Sequence, residues 1–330
     1  MQNTIDKLIL HITGAREILS REMIQELWSG YGKILRIRLK GYSQKSVIIK
    51  HIHLPEEELH PRGWNTDISR ERKLFSYQVE THWYDQWSSQ CDDACHVPVS
   101  LGIKKIGDEV ILVLEDLKEA GYPLQKTSVS WPEIKAGLYW LAHFHATYLG
   151  KKPQGLWDTG TYWHLETRPD ELTALKDPDL KAAAPIIDEK LRNAKYQTFV
   201  HGDAKLANFC FSTDGEKAAA VDFQYIGGGC GMKDVAYFAG SCLTEDSCEE
   251  LEDEILDYYF SVLKSAIESK KNDIDIQAVE IEWRNLYHLA WTDFFRFLQG
   301  WSPGHWKIHS YSERISLQVI KSLRESGKLP

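Results

Sequence analysis

Residues 201–208 read His-Gly-Asp-Ala-Lys-Leu-Ala-Asn, and Asp222 follows in the apolar run Ala-Ala-Ala-Val-Asp-Phe-Gln. Asp203 is an acid that can orient an acceptor hydroxyl and take its proton. Asn208 and Asp222 carry the hard oxygen atoms that Mg²⁺ prefers between nucleotide phosphates. The spacing predicts phosphoryl transfer, which depends on positioning and charge neutralisation. The alternative is that these three residues only cap turns, as Asp and Asn often do.

Short apolar runs around this segment predict the strands that position it. Residues 199–200 and 209–211 have the composition of strands flanking a loop, and residues 218–221 that of a strand ending at Asp222. Earlier in the chain, apolar and basic residues alternate over residues 35–40, which predicts a half-solvated strand. Residues 47–49 then form a buried run that ends in Lys50.

A helix is predicted from residue 67 to residue 77. Glu71 shares one helical face with Leu74, Phe75 and Gln78, so we expect its carboxylate to point toward the core and to pair with Lys50. The alternative for both charged residues is a solvated surface position, because long charged side chains are usually exposed.

The pattern His-x-Asp-x-x-x-x-Asn followed by Asp-Phe-Gln resembles the choline kinase and aminoglycoside phosphotransferase superfamily, and especially its ecdysteroid kinase-like branch. Five correctly ordered elements carry the resemblance: Lys50, Glu71, residues 114–117, residues 201–208 and Asp222. The resemblance implies an α+β, protein-kinase-like fold of two lobes. A small antiparallel-sheet lobe that binds nucleotide would span residues 1–116, and a larger, mainly helical lobe that binds the acceptor would span residues 117–330.

The resemblance also implies roles for individual residues. Lys50, fixed by Glu71, would hold the α- and β-phosphates of ATP, and Asn208 and Asp222 would hold Mg²⁺. Backbone groups of Glu115 and Leu117, at the end of the strand-like run 110–114, would contact adenine. The alternative for that run is an edge strand ending in a solvated acidic turn.

Further roles are expected for three residues of the larger lobe and for one segment of the smaller lobe. Asp203 would act as the catalytic base, and Lys205 would neutralise charge on the moving phosphoryl group or else face solvent. Asp234 matches an acid that supports the catalytic loop in this superfamily. Residues 30–32, Gly-Tyr-Gly, either cover the nucleotide phosphates or form an ordinary turn after a helix over residues 21–28.

The helical lobe would contain helices beginning near residue 131 and covering residues 248–264, 276–298 and 311–323. Four tryptophans lie near acids in this region: Trp283, Trp291, Trp301 and Trp306. They indicate either an aromatic cage for a quaternary amine or, more simply, a helical core. If they form an acceptor pocket, we expect that pocket to be aromatic and acidic, with Trp291 and Asp293 in its wall.

Composition limits the class of protein. The 330 residues, 43% hydrophobic, are enough for two core-bearing lobes, and the net charge of -9 argues against a nucleic-acid partner held by a basic face. The chain starts without a signal-peptide pattern and has no run of about 20 apolar residues, so we expect a cytoplasmic protein without a membrane partner. Its six cysteines are then free thiols, although Cys91, Cys95 and His96 leave a zinc site open.

The function expected from these features is ATP- and Mg²⁺-dependent phosphorylation of a hydroxyl on a small molecule. One alternative is a choline or ethanolamine kinase, and another is a catalytically silent kinase-like binding protein. A protein acceptor is disfavoured, because the sequence has no recognisable protein-kinase activation segment.

Overall fold

The computed structural model describes residues 2–27, 30–53, 67–270 and 274–329. The first part of the chain forms α1 (Gln2–Thr13), β1 (Glu17–Glu26), β2 (Gly32–Lys40), β3 (Ser46–His53), α2 (Asp67–His82), β4 (Ser100–Ile106) and β5 (Glu109–Glu115). The second part forms β6 (Leu124–Gln125), α3 (Trp131–Tyr148), α4 (Pro169–Ala174), α5 (Pro178–Arg192), β7 (Thr198–Val200), β8 (Phe209–Phe211), β9 (Ala218–Ala220), β10 (Gly227–Gly229), α6 (Met232–Cys242), α7 (Glu245–Ser269), α8 (Ile276–Trp301) and α9 (Ser310–Glu325).

The first part is built on one antiparallel sheet with the strand order β1-β2-β3-β5-β4. Alternate residues of its central strands face opposite sides, as the two-residue period of a strand requires. Val47 and Ile49 pack with α1, whereas Leu112 and Leu114 belong to the larger core that also contains residues of α2. Lys50 therefore emerges on the side of the sheet that faces the rest of the molecule.

The predicted helix over residues 21–28 is wrong, because residues 17–26 form the edge strand β1. Every pairing of β1 is with β2, and several pairs join opposite charges, including Glu17 with Lys40 and Glu22 with Arg36. Such cross-strand pairs stabilise a sheet and override the local helix preference of this segment. Gly30 and Tyr31 therefore precede β2, Gly32 is its first residue, and residues 28–29 lie outside the described residues.

The predicted helix over residues 67–77 is confirmed by α2, but its buried face differs from the expected one. Tyr77 and Glu80 are buried, whereas Glu71 is exposed. Phe75 is 39% exposed, and its ring contacts that of Trp157 edge to face. A π-helical turn, Trp83–Trp87, continues α2 and places the fully buried Trp83 in the core.

The second part is mainly helical, and the expected two-lobed α+β fold is confirmed. Its small strands β7, β8 and β9 surround residues 201–208 as predicted. Ser130 and Glu133 form a capping box at the start of α3, and α8 packs against both α6 and α9 in the core. Within the described ranges, no helix combines the length and apolarity that a membrane crossing requires.

Candidate active site

Lys50 lies in β3 with its ammonium group buried between two carboxylates. Its Nζ is 2.6 Å from Glu80 Oε2 and 3.4 Å from Asp222 Oδ1. Burial disfavours the charged ammonium, but the carboxylates of Glu80 and Asp222 outweigh it and raise the pKa of Lys50 above its ordinary value. The lysine is thus held charged where β3 faces Asp222.

The expected pair between Lys50 and Glu71 is wrong, because Glu80 occupies the position facing the lysine. Glu71 lies nine residues earlier in α2, on the exposed side of the helix. The sequence contained a signal for Glu80 that we missed. It is an acid within the most apolar turns of α2, three residues after Tyr77 and three before Trp83, where a solvated charge is not expected.

One buried acid holds the backbone of residues 201–208 in position. Asp234, at the start of α6, accepts hydrogen bonds from the backbone N–H groups of His201 (2.5 Å) and Gly202 (3.0 Å), and it also contacts His145 Nε2 at 3.2 Å. Gly202 has a φ of +79°, and a Cβ there would lie 2.1 Å from the carbonyl oxygen of Tyr225. The loop thus requires glycine at this position, and the supporting role expected for Asp234 matches its contacts.

Asp203 is held by side chains on both of its carboxylate oxygens. Oδ2 accepts from Lys205 Nζ at 2.8 Å and from Asn208 Nδ2 at 3.0 Å, and Oδ1 accepts from the Tyr237 hydroxyl at 3.3 Å. Burial opposes the charge of Lys205, but the Asp203 carboxylate raises its pKa above the ordinary value. The bond from Tyr237 is the longest of the three, so Oδ1 is the less strongly held of the two oxygens.

Asp222 is turned toward Lys50 by the two residues that follow it. The ring of Phe223 is buried, stacked on Trp83 at a centroid distance of 4.8 Å, and Gln224 Oε1 accepts from Lys73 Nζ at 2.9 Å. These anchors hold Asp222 at a φ of +70°, which aspartate tolerates better than most residues. Burial alone would raise the pKa of Asp222, but Lys50 and Lys205 outweigh it and lower the pKa below its ordinary value.

Asn208 and Asp222 each leave a side-chain oxygen available to a cation. Asn208 donates through Nδ2 to the backbone oxygen of Asp203 at 2.8 Å as well as to Oδ2, which leaves its amide oxygen as the atom for a cation. The Asp222 carboxylate stays charged and is 38% exposed. Protein Mg²⁺ sites often use one or two such oxygens and take the remaining ligands from substrate phosphates and water. Among the described residues, no group of three or more His, Cys, Asp or Glu could hold a metal ion, so the zinc alternative at Cys91 finds no support.

The predicted adenine contacts lie at the end of β5. The Glu115 N–H donates to the carbonyl of Val99 at 2.9 Å, and the Leu117 carbonyl accepts from the Tyr122 N–H at 2.8 Å. The predicted adenine contacts would therefore use the Glu115 carbonyl oxygen and the Leu117 N–H. The Glu115 side chain accepts from His96 Nε2 at 3.0 Å, and Asp116 accepts from Arg36 Nε at 2.7 Å. These two acids therefore fix the path of the chain between the lobes.

Two cavities meet at Asp203. The first, which we call the interlobe cleft, has a volume of about 670 Å³ and is lined by residues of both lobes, including Leu27, Lys50, Glu80, Leu117, Asn208 and Asp222. The second, which we call the aromatic cavity, has a volume of about 420 Å³ and is lined by Tyr162, Tyr225, Tyr237, Trp301, Trp306 and Lys307 among others. Asp203 and Lys205 line both cavities, so the two spaces are adjacent at these side chains.

The expectation of an acidic pocket around Trp291 and Asp293 is wrong. Both side chains are buried in the core, where Trp291 Nε1 donates to Ser312 Oγ at 3.1 Å and Asp293 accepts from Arg296 Nη2 at 2.8 Å. The aromatic cavity uses Trp301 and Trp306 instead. The aromatic cavity is also lined by Lys307, which the sequence did not indicate. Lys307 follows α8 in a segment without a periodic pattern.

A family model described as the ecdysteroid kinase-like family matches residues 163–271, a range that includes residues 201–208 and Asp222. The resemblance drawn from the motifs is confirmed. The fold is similar to that of the choline kinase of Cryptosporidium parvum Iowa II, with a TM-score of 0.55 and 10% identity over 100% of this chain and 98% of that chain.

Two other solved structures are also similar to the chain. The aminoglycoside phosphotransferase APH(3'')-Id from Streptomyces rimosus ATCC10970 has a TM-score of 0.49 and 13% identity over 87% of this chain and 98% of that chain. A Plasmodium vivax ethanolamine kinase has a TM-score of 0.48 and 12% identity over 96% of this chain and 88% of that chain. No curated protein sequence matches the chain.

Proposed function

We propose that this chain is a small-molecule kinase that transfers the γ-phosphate of ATP to a hydroxyl group. The observation that carries the proposal is the position of Asp203 where the interlobe cleft meets the aromatic cavity. A nucleotide in the first space and an acceptor in the second would meet at this carboxylate. In this proposal, residues 1–116 form the nucleotide-binding lobe and residues 117–330 form the acceptor-binding lobe.

Each charged residue of the cleft has a place in the proposed reaction. Lys50, held by Glu80, binds the α- and β-phosphates, and backbone groups of Glu115 and Leu117 bind adenine. Asn208 and Asp222 would hold Mg²⁺, which supplies charge neutralisation at the phosphate oxygens.

The chemical step takes place at Asp203. The acceptor hydroxyl oxygen forms a bond to the γ-phosphorus, the bond from that phosphorus to the β–γ bridging oxygen breaks, and ADP leaves with the bridging oxygen. The hydroxyl proton passes to Asp203 Oδ1, while Lys205 offsets charge on the transferred group. Asp203 and Lys205 are therefore the catalytic residues of the proposal.

Asp203→Asn separates this function from a catalytically silent binding protein. The amide keeps the size of the side chain but cannot accept a proton, so we expect Mg·ATP affinity to be retained and turnover to fall on the order of a hundredfold or more. ADP formation is measured with choline, sugars, aminoglycosides and hydroxylated lipids as acceptors, and with water alone as the basal reaction.

Asp253→Asn is the matched control, because Asp253 is exposed on α7. It should leave both affinity and turnover unchanged. Equal turnover in the wild type and Asp203→Asn would remove Asp203 from the mechanism. Mg·ATP binding without ADP formation for any acceptor or for water would favour the silent binding protein.

A further inference from the structure

Lys307 is a buried cation on the wall of the aromatic cavity. It lies between α8 and α9, is 8% exposed, and packs its Nζ 4.4 Å from the ring centroid of Tyr237, 5.4 Å from that of Trp306 and 5.5 Å from that of Phe294. Within the described part of the chain, its ammonium group has no hydrogen-bond partner and no carboxylate within 4.0 Å. Its Nζ is not among the fully enclosed polar atoms of the described residues, so it opens onto the aromatic cavity, where a charge without a protein partner can take one from a ligand.

The charges around the aromatic cavity leave the ammonium of Lys307 unbalanced. Asp203 is the acid in its wall, and its carboxylate is already paired with Lys205 Nζ at 2.8 Å. Burial lowers the pKa of Lys307 to about 8, although the attraction of Asp203 opposes this shift. Lys307 thus remains mostly protonated at neutral pH, and the cavity carries an excess positive charge.

The remaining walls fit a flat or cyclic apolar body. Tyr162, Tyr225 and Tyr237 line one part of the cavity, and Trp301 and Trp306 line another. The Tyr162 hydroxyl is 3.2 Å from that of Tyr237, which in turn donates to Asp203, so the polar ends of these rings are directed toward the proposed reaction centre. Tyr237 is buried beneath Lys307, whereas Trp306 is 63% exposed and leaves indole surface open to a ligand.

We propose that Lys307 binds an anionic oxygen group of the acceptor, so that the substrate is a hydroxylated molecule with an apolar cyclic body and a carboxylate or similar oxyanion. This inference rests on the proposed function, because it assigns the aromatic cavity to the acceptor. Such a group supplies the negatively charged partner that Lys307 lacks among the described residues. A quaternary amine is disfavoured, because it would enter a cavity with an excess of positive charge.

Three probes of nearly equal shape test the charge preference: para-hydroxymethylbenzoate, the corresponding benzamide and the corresponding benzylamine. Their affinities for the full chain are measured by ligand-observed NMR at millimolar concentrations. We expect the carboxylate to bind on the order of tenfold more tightly than the amide, and the protonated amine to bind most weakly.

Lys307→Met should remove the preference for the carboxylate over the amide while leaving amide binding nearly unchanged. Lys321→Met is the matched control, since Lys321 lies on α9 with a side chain that is 77% exposed, and it should keep the wild-type preference. Stabilisation by Mg·ADP is measured for every variant and shows that each is folded and that the interlobe cleft is intact.

The outcomes separate this inference from the proposed function. If the benzylamine or the benzamide binds as tightly as the carboxylate, if Lys307→Met keeps the preference, or if none of the probes binds, the role of Lys307 is refuted even where Mg·ADP binds. If the Lys307-dependent carboxylate preference is found but Mg·ADP does not bind, the anion site stands and the kinase proposal fails.

Discussion

Glu80→Gln tests whether Glu80, and not Glu71, is the acid that holds Lys50 in position. The substitution keeps the shape of the side chain and removes its negative charge. Lys50 Nζ, which lies 2.6 Å from Glu80 Oε2, would then be drawn to the remaining carboxylate, that of Asp222 at 3.4 Å. Both the position of the lysine and the carboxylate proposed to bind Mg²⁺ would be disturbed.

The size of the effect follows from burial. Removing one partner of a buried ion pair costs about 3–5 kcal/mol. Because Asp222 retains part of the attraction for Lys50, we expect a loss at or below the lower end of that range, about 2–3 kcal/mol. The free energy of unfolding should fall by this amount, and an equal loss of phosphate binding by the displaced lysine would lower kcat/KM for ATP roughly 30- to 150-fold, at about 1.4 kcal/mol for each factor of ten.

The measurement is kcat/KM for ATP, or the Mg·ATP dissociation constant where the acceptor is not in hand, together with the thermal unfolding midpoint. Glu71→Gln is the matched control, because it changes the same functional group on the exposed side of the same helix. It should have almost no effect on either quantity. A Glu80→Gln protein with wild-type nucleotide affinity, or a Glu71→Gln protein with the larger defect, would refute the assignment.

Three other substitutions test separate parts of the structure. Asp222→Ala should make nucleotide binding independent of added Mg²⁺, measured by calorimetry with and without EDTA, and retained Mg²⁺ dependence would exclude Asp222 as a ligand. Gly202→Ala should lower turnover and the unfolding midpoint, because it places a Cβ against the Tyr225 carbonyl at a φ of +79°, and normal activity would show that the loop tolerates the change. Lys307→Met should stabilise the protein at pH 7 by up to about 3 kcal/mol, measured by denaturant unfolding. A variant less stable than the wild type at pH 7 would contradict the uncompensated charge of Lys307.

The sign and size of the Lys307 effect follow from its lowered pKa. The folded protein holds the ammonium with a pKa of about 8 against an ordinary 10.5, so at pH 7 its charge opposes folding by about 3 kcal/mol. Between pH 8 and 10.5 the unfolded chain binds more protons at this position than the folded protein does. The wild type therefore becomes more stable relative to the variant as the pH rises. The advantage of Lys307→Met should therefore shrink from pH 7 to pH 10.

Sequence reasoning identified the parts of this protein whose residues are contiguous or strictly spaced. The loop from His201 to Asn208, Asp222 and the strands around them were predictable, because short apolar runs and an ordered set of polar residues occur together there. Lys50 was predictable for the same reason, since it ends a buried strand. Tertiary packing decided the rest.

Three features depended on contacts that the sequence does not contain. The rotation of α2 about its axis directs Glu80, and not Glu71, toward Lys50. Apolar residues lie on several sides of this helix, so the sequence pattern does not determine the rotation. The edge strand β1 is stabilised by its pairing with β2, although its own residues favour a helix. Trp291 and Trp301 lie on one helix, α8, yet Trp301 lines the aromatic cavity whereas Trp291 is buried against Tyr311 of α9.

A crystal structure of the full chain with Mg²⁺ and a non-hydrolysable ATP analogue tests the central claim most directly. The account predicts adenine against Glu115 and Leu117, the α- and β-phosphates on Lys50, and the γ-phosphate directed at Asp203 where the interlobe cleft meets the aromatic cavity. A nucleotide bound outside the interlobe cleft, or one with its γ-phosphate directed away from Asp203, would contradict it.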